Sequence, residues 1–74
     1  MTLDRAPLGT PLTFLAAGVD PVLGRRLATL GLRRGVRVSI VQKLASGGRI
    51  VAVAGGRIAI EQGVLARLEA EAAA

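Results

Sequence analysis

The chain has 74 residues and a formal net charge of +5, and it contains neither cysteine nor histidine. A chain this short makes at most one domain, so we expect a single domain over residues 1–74. The missing residue types exclude a disulfide framework, thiolate chemistry and a Ser-His-Asp triad, and they remove the usual ligands of transition metals. The longest uncharged stretch, residues 6–19, holds two prolines and two glycines and is too short for a membrane span. We therefore expect a small cytoplasmic protein.

The N-terminal quarter predicts a loop followed by a strand. Residues 2–10 are polar and rich in turn-forming residues, and we expect Leu3 and Leu8 to pack beneath the core. Residues 11–17 are moderately apolar on both faces, which predicts the first strand. Residues 18–20 then turn the chain into a helix.

A short helix is predicted over residues 21–30. Asp20 is a good N-cap, and a proline at position 21 suits the first turn, where its missing N–H is not needed. Three leucines at i, i+4 and i+7 share one face of this helix, which we expect to be buried: Leu23, Leu27 and Leu30. Gly31 stands where a helix ends in a left-handed residue, so the helix should stop there.

Short alternating segments after Gly35 predict a small β-barrel or sandwich. The predicted strands cover residues 36–44, 49–54, 57–60 and 66–70. The alternation fails near Gln42, which predicts a twist or bulge, and Gly55 with Gly56 predicts a tight two-residue hairpin turn with positive φ. Residues 61–65 predict one helical turn, and residues 71–74 are expected to fray.

Positive charge is concentrated in the middle of the chain. Eight basic residues and no acidic one lie between Asp20 and Glu61. Such a region attracts an acidic protein surface, a nucleic acid or an anionic lipid, although a basic surface kept only for solubility explains the same pattern. The predicted partner-binding residues are five arginines of the helix, the turn and the strand after it: Arg25, Arg26, Arg33, Arg34 and Arg37. For Arg26, which flanks the leucine stripe, a structural role in which its head bonds a nearby carbonyl is an equally good interpretation.

Nothing in the sequence predicts catalysis. The five carboxylates are scattered, and the closest two are Glu69 and Glu71. Neither Gly-Gly pair leads into a helix, so both predict hairpin turns rather than a phosphate-binding loop. We expect no enzyme, no cofactor and no bound metal. Phe14 is the only aromatic residue, which disfavours stacking of single-stranded nucleic acid but leaves duplex binding through phosphates open.

Residues 24–71 carry several features in a particular order. Paired arginines precede the leucine stripe, and a Leu30-Gly31-Leu32 step and the Gly35 turn lead into the alternating strand. A Gly-Gly hairpin then precedes the run Arg57-Ile58-Ala59-Ile60. In this order the features resemble the FeoA domain of bacterial ferrous iron uptake, and residues 2–15 resemble the opening of that family more loosely.

The resemblance implies a mainly β fold, a small SH3-like barrel of about five strands with one short inserted helix. It also implies a cytosolic accessory protein that binds through its basic surface to the cytosolic part of the FeoB-type transporter and modulates that transporter, which carries a GTP-binding domain. Iron-dependent repressors end in a similar domain, preceded there by DNA-binding and metal-binding parts. Some relatives have been thought to bind metal, whereas this chain lacks histidine and cysteine, so we do not expect it to handle iron directly.

A different class of function is also compatible with the middle of the chain. The segment RRGVRVSIV, residues 33–41, resembles the opening of a KOW-type barrel that binds RNA or the ribosome, because a basic turn and a glycine precede a strand. The segment after it, QKLASGG, matches such a module poorly. A nucleic-acid-binding or ribosome-associated SH3-like module is therefore the alternative prediction.

Overall fold

Alternating apolar residues build the strands of one antiparallel sheet. The computed structural model describes residues 1–73. In chain order its elements are β1 (Leu12–Ala17), α1 (Pro21–Thr29), β2 (Arg37–Lys43), β3 (Arg49–Val53), β4 (Gly56–Ile60), α2 (Gln62–Leu65) and β5 (Leu68–Ala72). The strand order across the sheet is β4-β3-β2-β1-β5, and neighbouring strands are antiparallel. This confirms the prediction of a mainly β, SH3-like barrel of five strands, with α1 inserted between β1 and β2.

One face of the sheet forms the core. Along most of the strands, buried residues on that face alternate with more exposed residues on the other face, as the alternation predicts. The buried apolar strand residues are Leu12, Phe14, Val38, Ile40, Val51, Val53, Ile60, Leu68 and Ala70. Leu27 of α1, Leu32 after it and Leu65 of α2 close the core from the helical side. Neither helix in residues 1–73 has the length and apolar content that crossing a membrane requires.

The helix α1 begins and ends as its sequence predicts. The Asp20 side chain accepts a hydrogen bond from the backbone N–H of Leu23 at 3.0 Å, which satisfies one free donor of the first turn. At the other end Gly31 has φ +106°, and the N–H of Leu32 donates to the carbonyl of Leu27 at 2.9 Å. This is a Schellman motif, in which only glycine adopts the left-handed position without strain.

The leucine stripe is only partly buried, so the prediction for Leu30 is wrong. Leu27 is 5% exposed, Leu23 is half-buried, and Leu30 is 46% exposed. Leu30 is the C-cap of α1 and borders an open groove, so Leu27 is the buried side chain of the helix and Leu23 packs against the core partly buried. Leu8 is also mostly outside the core, at 48% exposed, because its backbone rather than its side chain lies against β2, where it bridges to Ile40.

The hairpin between β3 and β4 turns one residue earlier than predicted. Val53 pairs with Gly56, so the loop residues are Ala54 and Gly55, with φ of +51° and +78°. Both this turn and the predicted one keep Ile58 on the core face, so alternation cannot choose between them. In the observed turn a Cβ on Gly31 would lie 2.7 Å from the Cβ of Ala54, so this turn packs against the end of α1 only with a glycine at position 31.

Of the remaining predictions for the strands, the bulge is confirmed, and the last strand differs from its predicted bounds. The break near Gln42 is a bulge, since the register between β2 and β3 shifts between Ile40 and Gln42. The last strand begins two residues later than predicted, and Glu71 does not fray, because it pairs with Thr13 of β1. Ala74, also expected to fray, lies outside the described residues.

Residues 1–3 lie along β5 and extend the sheet. Thr2 bridges Glu69, and the N–H of Leu3 donates to the carbonyl of Leu68 at 3.0 Å. The amino group of Met1 donates to the carbonyl of Ala70 at 2.7 Å. The outer edge of β5 is therefore covered by the start of the chain.

Candidate interaction surface

The connection from α1 to β2 is held in place by backbone and side-chain hydrogen bonds. The N–H of Gly35 donates to the carbonyl of Phe14 at 2.8 Å, and the N–H of Phe14 donates to the carbonyl of Val36 at the same distance. The Nε of Arg33 donates to the carbonyl of Ala28 at 3.0 Å, at the negative end of the helix dipole. The connection that carries Arg33 and Arg34 is therefore ordered.

All five arginines predicted to bind a partner are exposed. They are Arg25 and Arg26 on α1, Arg33 and Arg34 in the connection, and Arg37 at the start of β2. Within residues 1–73 none of them forms an ion pair with a carboxylate; the one ion pair there joins the amino group of Met1 to Glu69 at 3.5 Å. Their guanidinium groups are consequently available to carboxylates of another molecule.

The structural role expected for Arg26 belongs to Arg33 instead. In the described part of the chain, Arg33 caps a helix carbonyl, whereas the Arg26 head makes no hydrogen bond. Arg26 borders a groove between α1 and β4, and Arg37 borders a cleft on the outer face of the sheet. The two depressions share no lining residue, so the five arginines do not converge on one small site.

The groove between α1 and β4 has a volume of about 300 Å³ and a mainly apolar lining. Its walls come from α1 and the adjacent Leu30, from β4, and from α2. The lining residues are Leu23, Arg26, Leu27, Leu30, Ile58, Ala59, Ile60, Glu61 and Val64. Sequence reasoning missed this α1–β4 groove because it assigned Leu30 to the core, whereas the side chain stands at the groove wall.

The cleft on the outer face of the sheet is lined by two basic residues. Register aligns Ser39, Ala52 and Arg57 in one row across β2, β3 and β4. The small Ala52 leaves the floor of the cleft open, and the volume is about 380 Å³. Arg37 and Arg57 both line this sheet cleft, although Arg57 was not among the predicted site residues. Alternation in β4 places Arg57 on the outer face, but its pairing with Ala52 depends on the turn at Ala54 and Gly55, which the sequence did not predict.

One of the eight central basic residues does not belong to the surface. Arg49 is 9% exposed, and its Nη1 donates to the carbonyl of Ala6 at 2.6 Å. Because successive strand residues point to opposite faces, Arg49 lies on the core side with Val51 and Val53. Its guanidinium ties the N-terminal segment to the sheet.

The acidic residues of the described chain do not gather into a metal site. Across residues 1–73 no three side chains of the ligating types, histidine, cysteine, aspartate and glutamate, lie close enough together to hold an ion. A zinc or iron centre with the usual ligand set therefore does not fit the residues present there.

Two of three comparisons with known proteins found a match for the chain. A family model described as "FeoA domain" matches residues 1–72. A comparison with curated proteins found no match. Among solved structures, FeoA from Chlorobium tepidum superposes with a TM-score of 0.92 at 21% identity, covering 100% of this chain and 71% of that one. At that identity the likeness concerns the fold alone.

Two further structures have the same fold. FeoA of Stenotrophomonas maltophilia, solved in complex with zinc, is 29% identical with a TM-score of 0.79, covering 96% of this chain and 89% of that one. A manganese-dependent transcriptional repressor is 16% identical with a TM-score of 0.85, and this chain spans 41% of its length. The fold thus occurs both in small FeoA proteins and within a longer repressor chain.

Proposed function

Because the chain belongs to the FeoA domain family, we propose that it is a cytosolic accessory protein of ferrous iron uptake. In this proposal it binds the cytosolic part of a FeoB-type transporter and modulates it without carrying out catalysis itself. The Stenotrophomonas maltophilia protein, at 29% identity, is described as a prokaryotic SH3 domain protein and a candidate ferrous iron transport activating factor. That description supports an accessory role for this chain.

The observation that carries the proposal is the set of exposed arginines without carboxylate partners in the described chain. Arginine presents a planar fork that grips a carboxylate with two parallel bonds, so it suits docking to an acidic protein surface. Arg33 and Arg34 sit on an ordered connection, so their backbone loses little freedom when a partner binds. We call Arg25, Arg26, Arg33, Arg34 and Arg37 the arginine surface.

The alternative, a KOW-type module that binds nucleic acid or the ribosome, has less support for single-stranded bases. Stacking of bases needs exposed aromatic side chains. Phe14 is the only aromatic residue of the sequence, and it is 3% exposed in the core. The basic charge can attract a nucleic acid backbone, but the surface offers no aromatic platform for bases.

The test is a binding assay with the purified cytosolic part of the FeoB-type transporter. Charge reversal to glutamate at Arg25, Arg33 and Arg34 should slow association at low salt about 10-fold or more and flatten its salt dependence. The matched control reverses three exposed basic residues outside the arginine surface, Arg5, Lys43 and Arg67, and changes the net charge equally.

The two triple variants separate local docking from general charge. Because the reversal at Arg33 also removes its bond to Ala28, a thermal melt of each variant must show that it is folded. Equal slowing in both variants would contradict a defined docking surface. Binding to duplex or single-stranded RNA at physiological salt that equals or exceeds binding to the transporter part would favour the alternative function.

A further inference from the structure

The strand β4 lies at one end of the sheet with its outer edge unpaired. The two-residue loop makes Val53 and Gly56 a hydrogen-bonded pair. Hydrogen-bonded pairs recur at every second residue of an antiparallel ladder, so Ile58 and Ile60 also direct their N–H and C=O groups to β3. Alternation then directs the N–H and C=O groups of Arg57 and Ala59 away from the sheet. Within the described residues no backbone hydrogen bond satisfies these groups.

The opposite edge of the sheet is protected. Along β5 the Thr2–Glu69 bridge and the bond from the N–H of Leu3 to the carbonyl of Leu68 supply backbone partners. An unpaired edge is a template for another strand, and proteins usually cover it. The structure therefore leaves β4 as the edge that can accept one.

The unpaired edge faces the α1–β4 groove. The backbones of α1 and β4 do not pack closely, and side chains form the walls between them. Ile58 and Val64 are half-buried, and Leu30 is nearly half exposed at the opposite wall. A strand added about 4.8 Å from β4 would bring its own side chains over these apolar walls.

We propose that β4 accepts an extended segment of an acidic partner protein as a sixth strand. Residues of that segment opposite Ile58 and Ile60 share the inward face, so they enter the α1–β4 groove and are apolar. The residue opposite Arg57 shares the outward face, and a carboxylate there pairs with a guanidinium that has no acidic partner within residues 1–73. The main-chain bonds supply affinity, and this alternation supplies specificity.

The charges around the edge of β4 determine which end of the added segment carries the carboxylate. Arg57 stands near the hairpin end of β4, whereas Glu61 borders the groove at the other end. A carboxylate at the Arg57 end of the segment pairs with that guanidinium and lies away from Glu61. A carboxylate beside Glu61 is repelled. A second copy of the chain fits the edge less well, because it brings another Arg57 and a net charge of +5.

The identity of the partner rests on the proposed function, so the probe is the cytosolic part of the FeoB-type transporter. Amide hydrogen exchange of the wild-type protein is measured by NMR with and without this probe. The amide N–H groups of Arg57 and Ala59 point away from the sheet in the free protein. We expect them to exchange at least about 10-fold more slowly in the complex. This measurement needs no variant and therefore does not depend on any substitution being tolerated.

A matched pair of substitutions tests the same hydrogen bonds. Ala59→Pro removes an outward N–H at an edge position, the place in a sheet where proline is tolerated. Ala45→Pro is the control, because Ala45 lies at the second position of the turn closed by the bond from the N–H of Gly47 to the carbonyl of Leu44, where proline is favoured. We expect Ala59→Pro to weaken binding of the probe about 10-fold and Ala45→Pro to leave it unchanged.

The outcomes separate this inference from the proposed function. Protection of Arg57 and Ala59 together with selective loss of binding in Ala59→Pro supports the added strand. Binding that depends on the arginine surface, with unchanged exchange at Arg57 and Ala59, overturns the added strand and leaves the proposed function standing. Absence of any binding by the wild-type protein overturns both. Protection that rises with protein concentration in the absence of the probe assigns the edge to a second copy and also overturns the inference.

Discussion

Two regions pack on the same core but are held there in different ways. The meander from β2 to β4 is joined by short loops, and each strand pairs along its length with its neighbour in sequence. Residues 1–10 form an N-terminal strap, which has no regular element and is fixed by isolated contacts with distant residues. These include the bond from Arg49 to the carbonyl of Ala6 and the bond from the N–H of Gly9 to the carbonyl of Ile40 at 2.8 Å. Local pairing maintains the meander, whereas the strap depends on a few tertiary anchors.

The largest expected effect tests whether the strap is an integral part of the core. Leu3 is fully buried, so Leu3→Ala should lower the free energy of unfolding by about 2–5 kcal/mol, the range for a truncated core leucine. The mostly exposed Leu8 of the same strap is the control, and Leu8→Ala should change it by less than about 1 kcal/mol. Urea denaturation measures both. If the two variants are equally stable, the strap is not part of the core.

A smaller effect is expected from the anchor between the two regions. Arg49→Met keeps an unbranched apolar stem but removes the donor to the Ala6 carbonyl, and it should cost about 1.5–3 kcal/mol, the range for a hydrogen bond to a charged group. Arg57→Met on the neighbouring strand is the control, since Arg57 is exposed. Chemical denaturation compares the two. An equal or larger loss in Arg57→Met would mean that the buried bond does not hold the strap.

The third prediction concerns the meander where its turn meets α1. Gly31→Ala should cost about 1–3 kcal/mol or more, because the residue must keep a left-handed φ and its Cβ would lie 2.7 Å from that of Ala54. Gly35→Ala measures the cost of the left-handed φ without a close contact, since Gly35 has φ +89° and open space around it. The difference between the two midpoints in urea measures the contact between helix and hairpin. Equal losses would show that the contact contributes nothing.

The smallest expected effect is a gain of stability in the meander. Ala54 holds φ +51°, which a side chain with a Cβ adopts reluctantly. Ala54→Asn creates the Asn-Gly pair favoured in two-residue hairpin turns and should stabilise the protein by about 0.5 kcal/mol. The shift in thermal midpoint checks it. Destabilisation instead would indicate that the side chain at position 54 is limited by Gly31 rather than by its own backbone.

The contrast between meander and strap also describes what the sequence could predict. Strands and the helix followed from alternation and from residues such as Asp20 and Gly31, because these signals act within a few residues. The strap carries no period, and the burial of Leu3 was expected while that of Leu8 was not confirmed. The signal for a buried Arg49 was present, since it shares the face of Val51 in the predicted strand, but its acceptor lies at Ala6 and no local pattern indicates it.

The candidate site was predictable to the same degree. A stretch without acidic residues indicates that the arginine surface has no carboxylate nearby in sequence, but it does not indicate exposure, because Arg49 in the same stretch is buried. The α1–β4 groove could not be predicted, because it depends on how far α1 stands from β4. A leucine at helical spacing, such as Leu30, indicates one face of a helix but not how much of that face the sheet covers.

The position of β1 in the sheet determines the order in which this protein can fold. β1 lies between β2 and β5, and Leu12 pairs with both Val38 and Ala72. During synthesis the meander can pair as soon as it emerges, but β1 lacks one of its two neighbours until the last strand has been made. Contacts of such long sequence separation close slowly, and small barrels rich in them fold in milliseconds to seconds rather than microseconds. A nascent chain therefore exposes the edge of β1 until β5 arrives.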